Sequence, residues 1–161
     1  MPLPTKLQIE NLGPNVMPFE RRANLQFRVQ EEEALTEIFQ SFIYDATEDS
    51  LPSNVILADK LNILNGDADD AKYLWIINEN GLKIIPEQTA NPFAGRKVVC
   101  HTNLTGGQLA LQGGELWFDT EGHVYLNNKS GRYGATTLKH REAVLDYFQF
   151  VGYKNIFQLK S

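Results

Sequence analysis

Three glycine-punctuated polar stretches hold most of the side chains that could do chemistry. They are Cys100-His101-Thr102-Asn103-Leu104-Thr105-Gly106-Gly107, Gly113-Gly114-Glu115, and Asn127-Asn128-Lys129-Ser130-Gly131-Arg132-Tyr133-Gly134. A histidine such as His101 serves as a general acid or base near neutral pH, or orients a ligand. Glu115 alternates onto the same strand face as Trp117 and Tyr125, where an aromatic floor raises a carboxyl pKa and holds an organic ligand. Ser130, Arg132 and Tyr133 supply a hydroxyl, a two-pronged anion donor and a phenol. Gly106 and Gly107 let backbone amides approach a ligand or let the chain turn sharply. Each residue also has a plain structural role open to it. His101 can be a satisfied sheet-edge histidine, Glu115 a solvated charge, Arg132 half of a surface ion pair, and the glycines turn punctuation.

Several chemistries are not indicated. Ser130 has no nucleophile-elbow context, and no glycine-rich phosphate loop precedes a helix. Asn65-Gly66-Asp67-Ala68-Asp69-Asp70 lacks calcium-loop spacing, and His101, His123 and His140 lack the spacing of metal ligands, so no metal site is expected. Cys100, the single cysteine, reads as a small core residue.

The elements that must position these residues follow from periodicity. Tyr73–Ile77 and Leu82–Ile85 flank Asn78-Glu79-Asn80-Gly81, a hairpin signal. Lys97–His101 reads as a third strand, ending at the histidine. Gly114–Asp119 and His123–Asn128 are joined by Thr120-Glu121-Gly122, whose glycine suits the left-handed position of a three-residue hairpin loop. That loop sets Phe118 against Val124 and Leu116 against Leu126 on one face, with Trp117 against Tyr125 and Glu115 against Asn127 on the other. A two-residue loop would scramble both faces. The register brings Ser130 and Tyr133 to Glu115, and His101 joins them if its strand lies on the free side of 114–119. Residues 102–113 then form a flap.

Two helices complete the expected α+β fold, an antiparallel meander of about five strands. In the first, at about 32–44, Ala34, Leu35, Ile38, Phe39, Phe42 and Ile43 share a stripe behind Glu31-Glu32-Glu33. In the second, at about 137–151, Leu138, Ala143, Val144, Tyr147, Phe148 and Val151 do so, with Thr136 or Thr137 as N-cap and Gly152 as C-cap. Residues 1–30 carry Pro2, Pro4, Pro14 and Pro18 and read as an extended arm with one short strand at 25–29. Residues 55–64 fit a short helix or a strand equally.

The 161 residues suit one domain, 1–161, with the sheet at 73–133 carrying the polar site. No apolar run approaches the roughly 18 residues of a membrane span, and no cleavable signal peptide opens the chain. A cytoplasmic protein, or one delivered into a target cell without such a signal, is expected. A net charge of −5 argues against a nucleic-acid partner.

Over about residues 97–150 the order HTNLTGG, GGELWF, NNKSGRY resembles a block in plant IQ-motif calmodulin-binding proteins and in bacterial effector and toxin-like domains. Thr102 and Arg132 stand where the plant members carry serine and histidine. No IQ segment is present, so calmodulin is not implied. The resemblance implies that His101, Thr102, Gly107, Glu115, Ser130, Arg132 and Tyr133 share a site. The order also looks like the His–Tyr–Glu arrangement of some ADP-ribosyltransferases, which implies His101 on the ribose of NAD and Tyr133 on its nicotinamide. Those enzymes carry the glutamate on a late strand, whereas Glu142 here falls on a helix and Glu115 precedes Tyr133.

The leading expectation is therefore an effector- or toxin-like enzyme acting on a nucleotide or other small anionic ligand. In its most concrete form it transfers ADP-ribose from NAD as substrate, with no other cofactor. His101, Glu115 and Tyr133 are then catalytic, and Thr102, Gly106, Gly107, Trp117, Ser130 and Arg132 bind the ligand. The alternatives are a non-catalytic module binding a peptide or small ligand, and a regulatory protein acting through the helix at 31–44. The first reading brings an immunity or regulatory protein as partner.

Overall fold

Leu74, Trp75, Ile76 and Ile77 follow one another without polar alternation, the pattern of a strand covered on both faces, and all four are buried. A computed structural model describes residues 3–13, 43–45, 55–87, 101–106, 108–130, 133 and 137–159, with only the backbone of 102 and 103. Within these the elements run α1 (Lys6–Leu12), β1 (Tyr44–Asp45), β2 (Leu57–Ala58), α2 (Lys60–Leu64), a 3-10 turn (Asp69–Ala71), β3 (Tyr73–Asn78) and β4 (Gly81–Pro86). They continue with α3 (His101–Thr105), β5 (Gln112–Asp119), β6 (Val124–Leu126), α4 (Leu138–Val151) and β7 (Ile156–Gln158).

These form a mostly antiparallel sheet of seven strands in the order β1-β4-β3-β5-β6-β7, with β2 parallel to the end of β5 and β7 parallel to β6. The α+β class and the mostly antiparallel sheet hold, but β3 lies between β4 and β5, so the strands do not follow a simple meander. Three short strands, β1, β2 and β7, are additional, and β2 and β7 pair in parallel, which alternation within a hairpin does not reveal. Helices α1 and α4 cover one face, where Leu12, Val144, Tyr147 and Phe148 pack on Trp75, Leu116 and Phe118. On the other face Leu104 and Tyr133 pack with Leu74 and Ile76, and Ile63, Ala68 and Ala71 pack with Trp117 and Tyr125.

The central hairpin has the expected register: Phe118 pairs with Val124, Trp117 with Tyr125 and Leu116 with Leu126. Gly122 takes φ +84° at its tip, where a glycine backbone is favoured. Asn78 pairs with Gly81 in the first hairpin. Helix α4 starts at Thr137, whose hydroxyl accepts from the His140 N–H at 3.2 Å, and ends at Gly152.

Other expectations are corrected. The arm contains α1, because Thr5 and Gln8 form a reciprocal capping box, with Thr5 Oγ1 accepting from Gln8 N at 3.1 Å and Gln8 Oε1 from Thr5 N at 2.8 Å. Tyr44, placed at the end of the first helix, lies in a strand opposite Ile84. The remainder of that helix, to residue 42, the strand at 25–29 and residues 97–100 fall outside the described residues. His101 opens a helix instead of closing a strand, and β3 fills the side of β5 assigned to the 97–101 strand. Leu138 is exposed, since it lies in the first turn of α4, away from the packed stripe. Residues 55–64 hold both options in turn, β2 and then α2.

Candidate functional site

The polar cluster does converge on one sheet face. Gly113 and Glu115 point the same way as Ile76 and Leu74, their partners on β3. A Cβ built on Gly113 would lie 3.3 Å from Ser130 Oγ and 3.4 Å from His101 Cδ2, so the serine and the imidazole close over that glycine. Gly114 faces the opposite way, against the Trp75 ring and the Asn127 carbonyl, at 2.7 and 2.1 Å from where its Cβ would be. The glycine pair is thus a packing device on both faces.

The polar atoms of this cluster are engaged with their own chain. His101 is buried, and its Nε2–H donates to the Gly114 carbonyl at 2.8 Å. Tyr133 is 1% exposed and donates its hydroxyl proton to the Gln108 carbonyl at 2.8 Å. Thr105 Oγ1, 2.5 Å from the same hydroxyl, must then be the donor to it. Ser130 Oγ accepts the Tyr133 N–H at 3.1 Å. Gly106 takes φ +64° where α3 ends, and Leu104 is buried against the sheet. In the segment expected as a flap, Leu104, Ala110 and Leu111 are buried, while Gln108 and Leu109 are exposed. Gly107 and Arg132 and the Thr102 side chain lie outside the described residues.

Glu115 and Trp117 share the face but form no open floor. Trp117 is covered by Ile63, Ala68 and Ala71, and its Nε1–H donates to the Ala68 carbonyl at 2.9 Å. Glu115 accepts from Asn127 Nδ2 at 2.9 Å and pairs with Lys72 Nζ at 3.2 Å. Lys72 lies also 3.8 Å from Glu87 and 6.0 Å from the Trp117 ring centre. Burial opposes the lysine's charge, but the carboxylates of Glu115, Glu87 and Asp69 outweigh it and hold the ammonium pKa above its ordinary value. Glu115 is thus one member of a compact ion cluster whose other members, Lys72 and Glu87, the sequence did not single out.

A second site lies at the hairpin tip. A groove of about 410 Å³ runs between Val55 and Leu57 beside β2, Phe118 and Val124 of the hairpin, and Tyr153, Lys154 and Asn155 after α4. Its walls are mostly apolar, and Asp119 and His123 also line it. Asp119 is buried. Its Oδ1 accepts from the N–H groups of Glu121 and His123, both at 2.8 Å, and its Oδ2 lies 2.9 Å from His123 Nδ1. Burial would raise the Asp119 carboxyl, but hydrogen bonds from the backbone and ring of His123 and from Glu121 outweigh it and hold the pKa below the usual range. Because Asp119 is ionised, His123 Nδ1 carries the proton in this pair. The His123 ring meets Tyr125 and Phe157 edge-on, at 6.5 and 5.6 Å between centres. The available signal was the four-residue separation of Asp119 and His123 across a hairpin loop, which folds one side chain back on the other.

Among the described residues no group of three His, Cys, Asp or Glu could hold a metal ion, and no helix is long and apolar enough to cross a membrane. Comparison of the chain with protein-family models, with curated proteins and with solved structures gave no match.

Proposed function

We propose that this chain is a binding module for small organic molecules, with the groove at the tip of the β5–β6 hairpin as its ligand site. One observation carries the reading: mostly apolar walls line about 410 Å³ between β2, the hairpin tip and residues 152–155, with the exposed Lys154 among the lining residues. Small-molecule sites commonly have about 300–1,000 Å³, an apolar lining and a few convergent polar groups. The ADP-ribosyl-transfer reading needs a Tyr133 ring face for nicotinamide, and that ring is 1% exposed with its hydroxyl bound. This favours binding over that reaction and the hairpin groove over the glycine-rich cluster.

The uncharged dye Nile red reports occupancy by its fluorescence. It should bind the chain saturably, and Leu57→Trp, which fills the groove from an exposed position, should abolish the signal without loss of folding. Equal dye binding by this variant would overturn the reading. Saturable NAD binding that Leu57→Trp leaves intact would move the site to the 101–133 cluster and restore the enzymatic reading.

A further inference from the structure

We propose that the outer edge of β7 docks an extended acidic peptide, which adds to the sheet as a further antiparallel strand. The proposal is independent of the groove.

β7 ends the sheet, with β6 on its inner side and no strand on its outer side among the described residues. In a parallel ladder the N–H and C=O of one residue point to the same neighbour, and those of the next residue point away from it. The Asn155 carbonyl accepts from Val124 N at 2.8 Å, and Leu159 N donates to the Leu126 carbonyl at 2.6 Å, so residues 155, 157 and 159 face β6. Ile156 and Gln158 therefore turn their backbone N–H and C=O groups outward. Such a row of aligned donors and acceptors is what an added strand pairs with.

The side chains give this edge its selectivity. Phe157 is 48% exposed, stacked on Tyr125 at 5.3 Å and met edge-on by His123. It offers an aromatic surface to an apolar residue of the incoming strand. Lys154, which is exposed, precedes β7, and Lys160 follows it in the sequence. Arg141 of α4 adjoins the strand, its carbonyl accepting from Gln158 Nε2 at 2.8 Å. Neither Lys154 nor Arg141 forms an ion pair among the described residues.

These cations choose the occupant. A second copy laid antiparallel, with Phe157 facing Phe157, sets Lys154 of each copy opposite Lys160 of the other. Like charges directly opposed across a pair of strands are destabilising, and lysines on an edge strand keep copies of a chain apart. Carboxylates at those positions turn both repulsions into attractions. The chain's net charge of −5 does not cancel this, because charges beyond about 8 Å are largely screened at physiological salt.

The test follows the fluorescence anisotropy of a labelled, end-blocked peptide, Glu-Val-Thr-Val-Thr-Val-Glu, on the full chain. In antiparallel pairing its central valine faces Phe157, its threonines face Gln158 and Ile156, and its glutamates face the two lysines. It should bind saturably, about tenfold more tightly than the same peptide with lysine at both ends, and the preference should shrink with salt. Methylating the two threonine amides, which point at β7, should abolish binding. Gln158→Pro removes an outward N–H while leaving the bonds to β6, and should weaken binding strongly. Lys154→Glu should reduce the preference for acidic ends. Absence of saturable binding, equal affinity for the two end charges, or undiminished binding of the methylated peptide would overturn the proposal. A concentration-dependent dimer of the chain that Gln158→Pro abolishes would overturn it in favour of a second copy at this edge.

Discussion

Asp119 holds His123 twice, accepting its backbone N–H at 2.8 Å on one carboxylate oxygen and lying 2.9 Å from its ring Nδ1 with the other. One buried carboxylate thereby fixes both the hairpin loop and the direction of the imidazole, which meets Tyr125 and Phe157. Asp119→Asn keeps an oxygen for the two backbone donors but loses the charge and the acceptor for the ring Nδ1–H. It should cost about 1–3 kcal/mol, read by urea denaturation at neutral pH.

The same pair sets a pH dependence. The folded-state pKa of Asp119 lies below its unfolded value, so its contribution is fully present above the unfolded value and is lost as pH falls through the folded one. Denaturation midpoints measured across the acid range should fall more steeply for the wild type than for Asp119→Asn. Parallel acid limbs would show that Asp119 contributes no such linkage.

The adjacent glycines should behave differently. Gly114→Ala forces a Cβ against the Asn127 carbonyl and the Trp75 ring, neither of which can move without opening the sheet. A loss of about 3 kcal/mol or more is expected. Gly113→Ala meets only Ser130 and His101 side chains at 3.3–3.4 Å and should be clearly milder. Comparable losses in urea melts would contradict this assignment of the two faces.

Lys72 should couple to Glu115. A double-mutant cycle of Lys72→Met and Glu115→Gln should give a favourable interaction of about 1 kcal/mol that weakens with salt. The raised Lys72 pKa adds stability that is present below its unfolded value and is lost as pH rises through the folded one. Lys72→Met should remove that alkaline loss.

Much of the sheet was legible because local chemistry dictates it. Thr120-Glu121-Gly122 fixes which residues face each other, and the Phe118–Val124 and Leu116–Leu126 pairs follow. Thr137 and Gly152 bracket α4 for equally local reasons. Helix α1 was legible too, in Thr5-x-x-Gln8, but the surrounding prolines suggested an extended arm. What was not legible depends on distant packing. His101 sits on a helix held by the Gly114 carbonyl, and Trp117 is covered by residues 63–71, about fifty positions earlier. The pairing of Glu115 with Asn127 was anticipated from register; the engagement of His101 and Tyr133 with backbone carbonyls was not. The groove brings β2, the hairpin and residues 153–155 together from separate parts of the chain, and no spacing reveals such a site.

Central to this account is the location of the ligand site, and amide chemical-shift mapping with Nile red tests it most directly. The account predicts saturable shifts concentrated at 118–124 and 152–155, with little change at 101–106 or around Tyr133. Shifts concentrated at His101, Ser130 and Tyr133, with the hairpin tip unperturbed, would contradict it.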